Sequence, residues 1–310
     1  MTGAVPPPDG SGFPAGIARN SDKAPRRPLR PLQALLRGAA LTWCLWLAPL
    51  GAWACEARYP ERGLPGRGVE TSFSNRITSG RHEAWAPRDA QLRFHAAYAV
   101  ETDEYGHGVL GGLKDAKALT IHVFRPGDPR ITCPAETTLP DGAVFEDIAP
   151  HLADLDGDGL PEVIAVRSTV TDGARLEVYD RRARLLAATP PIGTRNRWLA
   201  VLGAADLDGD GYIEIAYVDR PHLAKVLRIW RYRDGTLTEI AALPGLTNHR
   251  IGEEFITGGL RDCGSGPEIV LASADWRQII ALRHDEDWQS RALGRFSTNA
   301  IAAELACKPL

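Results

Sequence analysis

The sequence predicts an all-β protein, a β-propeller of about four to five blades built from repeats of about 52 residues. Three observations lead there. Residues 154–166 (DLDGDGLPEVIAV) and 206–218 (DLDGDGYIEIAYV) repeat one another 52 residues apart. Each copy runs on into short alternating strands joined by turn residues: "ARLEVYD" and "RLLAATP" after the first, "VLRIWRY", Asp234-Gly235 and "LTEIAALP" after the second. A third copy, "GLRDCGSGPEIVLASAD" at 259–275, follows at nearly the same interval with its strands kept and its acids mostly lost. A single four-stranded sheet buries both faces only by stacking on neighbours, so such units in series imply blades around an axis. A pair of β-sandwich sheets would use the same strands but gives no reason for the period.

The segments follow in chain order. Residues 1–54 read as a disordered basic leader plus a signal peptide. The first thirty residues are rich in proline and arginine and lack periodicity, whereas 38–54 (GAALTWCLWLAPLGAWA) carry no charge and close on Ala52-Trp53-Ala54, a small-x-small cleavage pattern. An uncleaved anchor is the competing reading, but 17 residues interrupted by Pro49 are short for a hydrocarbon core of about 30 Å. The expected location is therefore secreted or periplasmic. Cleavage after Ala54 leaves Cys55 first, which opens an alternative, lipid anchoring through its sulfur; the membrane is a partner only in that case or if the signal stays uncleaved. Cys44 leaves with the signal. Cys55, Cys133, Cys263 and Cys307 remain, and in an oxidising compartment they are expected to form disulfides in one of three pairings.

Residues 55–104 form an N-terminal segment with room to contribute to a first blade. Repeat units occupy 105–298: a strand with alternating Leu119, Ile121 and Val123 precedes the three copies, and "IIALRHDEDWQSRAL" supplies the closing strands of the last. Residues 299–310 read as a C-terminal tail. The chain carries 36 basic and 39 acidic residues, a net charge of −3, well mixed and without a basic stripe, which excludes nucleic acid as a partner.

The acidic runs carry the chemistry. Carboxylates at positions 1, 3 and 5 of a tight loop converge, a glycine at 6 permits the turn, a backbone carbonyl at 7 adds an oxygen, and a glutamate at 9 completes the set. In the first loop these are Asp154, Asp156, Asp158, Gly159, the carbonyl of Leu160, and Glu162; in the second they are Asp206, Asp208, Asp210, Gly211, the carbonyl of Tyr212, and Glu214. A flexible all-oxygen cage with several carboxylates suits Ca²⁺, so two calcium sites are expected. A solvated turn would also use Asp and Gly, but two loops of identical DxDxDGxxE spacing argue for a shared ligand. An EF-hand would need a glutamate at position 12, where Ala165 and Tyr217 stand.

These stretches resemble the FG-GAP, or VCBS-type, repeats of integrin alpha chains and of many secreted bacterial proteins. The resemblance covers two repeats clearly and a third weakly. It implies a β-propeller with calcium in the loop between the first two strands of a blade. The chain departs from the family by using Glu at position 9, and in the third copy, where Pro267-Glu268 aligns with Pro161-Glu162, Asp262 stands opposite Asp156 while Leu260 and Gly264 replace Asp154 and Asp158.

No catalytic motif declares itself. His107, His151, His222 and His249 stand in neither HExxH nor HxH spacing, and no GxSxG, P-loop or GxGxxG stands in a strand–turn–helix context. Polar groups do recur just before the innermost strand of successive units, in "FED", "RNRW" and "NHRI". Glu146, Arg197 and Arg250 are therefore expected to converge on the central funnel and hold an anionic group; ordinary loop charges are the competing reading. The function expected is a non-catalytic exported propeller that binds a protein, glycan or cell-surface ligand, with Ca²⁺ as structural cement. The alternative is a polysaccharide-acting lyase or hydrolase using the funnel.

Overall fold

The computed structural model describes residues 83–85, 93–124 and 134–308, all within the unit Trp53–Leu310. They form antiparallel sheets of propeller type. The first unit holds β1 (Glu83–Trp85), β2 (Arg93–Thr102), β3 (Asp115–Phe124) and β4 (Ala135–Thr138). The second has a broken inner strand, β5 (Ala143–Phe145) and β6 (His151–Ala153), then β7 (Glu162–Thr169), β8 (Gly173–Tyr179) and β9 (Leu185–Ala188). The third is the plain meander β10 (Leu199–Ala205), β11 (Ile213–Asp219), β12 (Val226–Arg233) and β13 (Thr236–Pro244). In the fourth, β14 (Leu246–Thr247) and β15 (Gly259–Asp262) both pair with β16 (Pro267–Ser273), followed by β17 (Gln278–His284) and β18 (Trp288–Arg295). Strands β6, β10 and β15 lie next to one another, as innermost strands of consecutive blades do. The first two units share one sheet because β5 pairs with β7 and, at Phe145, with β3.

The second strand of each repeat explains its apolar sequence. Side chains alternate between faces along a strand, and here both faces are covered. In β7, Val163 and Ala165 pack toward the first unit while Ile164 and Val166 pack toward the third. In β11, Ile215 and Tyr217 face the second unit, and Ala216 and Val218 face the fourth. In β16, Ile269 and Leu271 complete that core, while Val270 turns the other way. What Val270 meets is helix α1 (Thr298–Leu305), whose Ala300 and Ile301 cover that face of the fourth blade.

Two segment readings gain detail. The first sheet starts upstream of Tyr105, since β2 belongs to it. The C-terminal stretch read as a tail contains α1, capped by Ser297, whose Oγ accepts from Ala300 N at 3.1 Å. Cys263, in the loop after β15, is bonded to Cys307 beyond α1, with Cα atoms 5.5 Å apart. Of the three pairings open from sequence, this selects the one that joins Cys55 to Cys133 if both remaining thiols are oxidised; those two residues, like the leader, lie outside the described residues. Among the described residues no helix is long and apolar enough to cross a membrane.

Candidate metal centre

The first acidic loop joins β6 to β7, and its carboxylates are held by its own backbone. Asp154 accepts from Gly157 N through Oδ1 (2.8 Å) and from Gly159 N through Oδ2 (3.0 Å). Glu162 Oε2 accepts from Leu155 N at 2.8 Å. Gly159 has φ +86°, the left-handed conformation that the turn at position 6 demands. Oxygens of Asp154, Asp156 and Glu162 come within 4.8 Å of one another. Asp158 stands apart from that trio, accepting from Leu160 N (2.8 Å) and lying 3.4 Å from Arg181 Nη1. Burial, opposed by the Leu155 N–H and reinforced by the charges of Asp156, Asp158 and Asp154, pushes the Glu162 carboxyl up to about 8. Asp154 is raised too, first by burial. These shifts mark buried carboxylates gathered beside one another.

The second loop, between β10 and β11, repeats this frame. Asp206 accepts from Gly209 N (2.7 Å) and Gly211 N (3.1 Å), and Glu214 Oε2 accepts from Leu207 N at 2.8 Å. Here the clustered trio is Asp206, Asp208 and Asp210. The difference is a protein cation among the acids. Arg231 on β12 donates from Nε to Glu214 Oε1 (2.8 Å), from Nη1 to Asp210 (2.9 Å), and from Nη2 to Asp208. Register accounts for it: Arg231 lies directly across from Glu214, and the place across from Glu162 falls on Asp180, just past the last paired residue, Tyr179.

The eroded third loop carries the substitution to its end. Asp262 Oδ1 accepts from Gly264 N and Gly266 N (2.7 and 3.1 Å), while Glu268 is surrounded by Arg261, Arg283 and Arg291 at 2.8–3.0 Å. Although burial pushes it up, Arg291 and Arg261 hold the Glu268 carboxyl below its usual value. Where carboxylates are missing, arginines complete the site. Among the described residues the three loops thus run from a carboxylate trio with one arginine only at its edge, on Asp158, through acids spanned by one arginine, to one glutamate with three.

Each loop also places a leucine. Leu155 and Leu207, at position 2, are buried, the first in the core between second and third blades and the second in the core between third and fourth. Whatever fixes the loop therefore fixes a contact between blades. The backbone N–H groups of Leu160 and Tyr212, the residues expected to offer carbonyls, bind Asp158 Oδ1 and Asp210 Oδ1 at 2.8 and 3.0 Å. The donor set fits a hard cation: it is all oxygen, it converges, and among the described residues no basic side chain pairs with the trio of the first loop.

The opposite ends of the blades hold a second polar cluster. Glu146 is 1% exposed and its Oε1 lies 2.6 Å from His107 Nδ1, while Ser168 Oγ donates to Oε2. Arg197 donates to the carbonyl of Asn196 at 3.0 Å. Arg250 lies over Trp276, 3.9 Å from the ring centroid, and pairs with Glu253 at 3.4 Å. The expected cluster of Glu146, Arg197 and Arg250 is thus not joined by any hydrogen bond or ion pair among the described residues. A buried carboxylate is satisfied here by neutral or titratable donors, and Arg250 finds an aromatic face instead. Sequence reasoning missed Arg231, His107 and Ser168 as partners of these acids. Only strand register could have shown Arg231, and nothing local marks the other two.

A family model described as FG-GAP-like repeat matches residues 154–217, the stretch holding both complete acidic loops. No curated protein matches the chain. Among solved structures, a GH43 β-xylosidase/α-arabinofuranosidase from a compost microbial metagenome, solved with xylotriose in a calcium-free form, is similar at 13% identity over 74% of this chain and 81% of that one, with a TM-score of 0.34. A likeness at that score supports no functional argument.

Proposed function

We propose that this is an exported, non-catalytic β-propeller whose first acidic loop binds Ca²⁺ tightly enough to hold two blades together, with a weaker second site, and whose other face binds a protein, glycan or cell-surface ligand. One observation carries the calcium reading: Asp154, Asp156 and Glu162 converge within 4.8 Å, oriented by the N–H groups of Gly157, Gly159 and Leu155. Asp154, Asp156 and Glu162 would hold the ion in the first loop, and Asp206, Asp208 and Asp210 in the second. A bound cation supplies the positive charge that lets these carboxylates stay ionised together. The partner-binding reading takes Leu223 and Ile251, in loops of the opposite face and 63% and 73% exposed, as its contact residues.

Thermal unfolding of the mature protein in EDTA and in millimolar calcium tests the calcium reading. For an affinity in the range of extracellular modules, calcium should add roughly 1 kcal/mol per occupied site. Asp156→Ala should remove most of the rise in Tm, while Asp262→Ala should leave it intact. An unchanged midpoint in wild type would contradict the reading. For the partner, binding to a glycan or surface-protein array should be lost in Leu223→Asp and kept in Asp156→Ala at saturating calcium.

A further inference from the structure

We propose that residues 103–114, the connection between β2 and β3, are a strap across one mouth of the ring of blades, which joins the first blade to the fourth and fills that mouth with the chain's own side chains. The two ends of the segment are drawn together, since Lys114 Nζ lies 2.6 Å from Asp103 Oδ2. What lies between them is a compact loop of the kind that packs its own side chains beneath it. Connecting segments usually run over the surface, but the apolar residues of this one turn inward. Val109 and Leu110 are buried in the core between the second and third blades, in one cluster with Leu155, Trp198 and Ala200, and Leu113 packs against it.

Polar contacts tie the same loop to three other parts of the chain. His107 Nδ1 lies 2.6 Å from Glu146 Oε1, a buried carboxylate that also accepts from the Ser168 hydroxyl. The hydroxyl of buried Tyr105 accepts from Asn196 N at 2.8 Å, and its carbonyl accepts from Arg195 Nη2 at 3.0 Å. Gly252 N donates to the Val109 carbonyl at 3.1 Å, and Gly112 N to Glu254 Oε1 at 3.1 Å. The two backbones meet closely at Gly111, where φ is +66° and a Cβ would stand 2.7 Å from the Gly252 carbonyl oxygen. A side chain there would push the strap off the fourth blade.

The places of these anchors in the chain carry the inference. Glu146 precedes β6, Asn196 precedes β10 and Gly252 precedes β15, and those three strands are the adjacent innermost strands of the second, third and fourth blades. Innermost strands surround the axis of a propeller, so a segment bonded to the entry of each one crosses the opening they enclose. Two of the polar runs that stand before the innermost strands, "FED" and "RNRW", supply Glu146, Arg195 and Asn196 to the strap, and Gly252 follows the third run directly. These groups are answered from within the chain. A ligand of this face is left with the outer loops, such as those of Leu223 and Ile251.

Amide hydrogen exchange of the mature protein at saturating calcium, read residue by residue by NMR, tests the strap. A strap opens as one unit, so the N–H groups of Asn196 and Gly252, bonded to different parts of it, should have protection factors that agree within about threefold. His107→Ala touches neither amide and should lower both factors about tenfold, while the core amides of Val166 and Leu271 keep theirs. Tyr105→Phe removes only the acceptor of Asn196 N, yet it should lower the protection of Gly252 as well. Wild-type factors for Asn196 and Gly252 that differ widely, or that match an unprotected amide, would overturn the proposal. So would a His107→Ala variant that changes neither amide or weakens the core amides equally, and a Tyr105→Phe effect confined to Asn196. The wild-type comparison decides the matter even if a variant fails to fold.

Discussion

Arg231 is the residue that separates the two acidic loops. Its guanidinium spans Asp208, Asp210 and Glu214, so the second loop carries a positive charge of its own where the first has none within its trio. An ion entering the second loop must compete with that guanidinium, whereas in the first loop the arginine, Arg181, pairs with Asp158 outside the trio. Arg231→Ala is therefore expected to lower stability in EDTA by about 1–3 kcal/mol, because buried Glu214 loses its partner. The same variant should enlarge the calcium-dependent rise in Tm above that of wild type. Thermal melts in EDTA and calcium check both, and an unchanged calcium response would contradict the assignment of Arg231 as a resident cation. Glu268 gives the complementary case, since arginines hold its folded carboxyl below the ordinary value. A lowered folded pKa means full stabilisation above the unfolded value, near 4.5, and loss as pH falls through the folded one. Glu268→Gln should accordingly flatten the decline of Tm below about pH 4.5, measured by melts between pH 3 and 6.

At the scale of elements, the fourth blade is finished by the C-terminal segment. Helix α1 covers Val270, Ile279 and Ala281, Arg261 reaches from β15 to Glu304 on that helix, and the Cys263–Cys307 bond closes the same contact. Opening the disulfide by Cys307→Ser frees a loop with a sequence separation of 44 residues, a loss of up to about 4 kcal/mol in the chain-entropy account. Ser297→Ala, which removes the cap, should cost about 1 kcal/mol. Equilibrium urea unfolding of both variants measures these losses; a neutral Cys307→Ser would mean that the helix docks without the bond. The β-strands follow from the alternating apolar pattern, as Leu119, Ile121 and Val123 illustrate by their common burial on β3. The helix was not legible in the same way. "TNAIAAEL" is short and mostly alanine on its buried face, too weak a periodic signal to stand out from a tail.

For the whole molecule, the repeat period revealed what local patterns alone could not. It identified units that bury both strand faces, and the described sheets have that property, with Val163 and Ile164 facing different cores. The acidic loops were legible because their ligand spacing is short-range. Arg231 and the His107–Glu146 pair were not, because they arise from strand register and from chain crossing between blades, separations of 17 and 39 residues that sequence spacing does not encode. The buried leucines at position 2 link loop and blade, so ion binding and blade packing form one account. The most direct measurement of that account is a crystal structure of the mature protein grown in millimolar calcium, with anomalous scattering to identify the ion. A calcium peak bound by Asp154, Asp156 and Glu162 is expected, stronger than any peak among Asp206, Asp208 and Asp210. A first loop filled by water or by a basic side chain, with no anomalous peak, would contradict it.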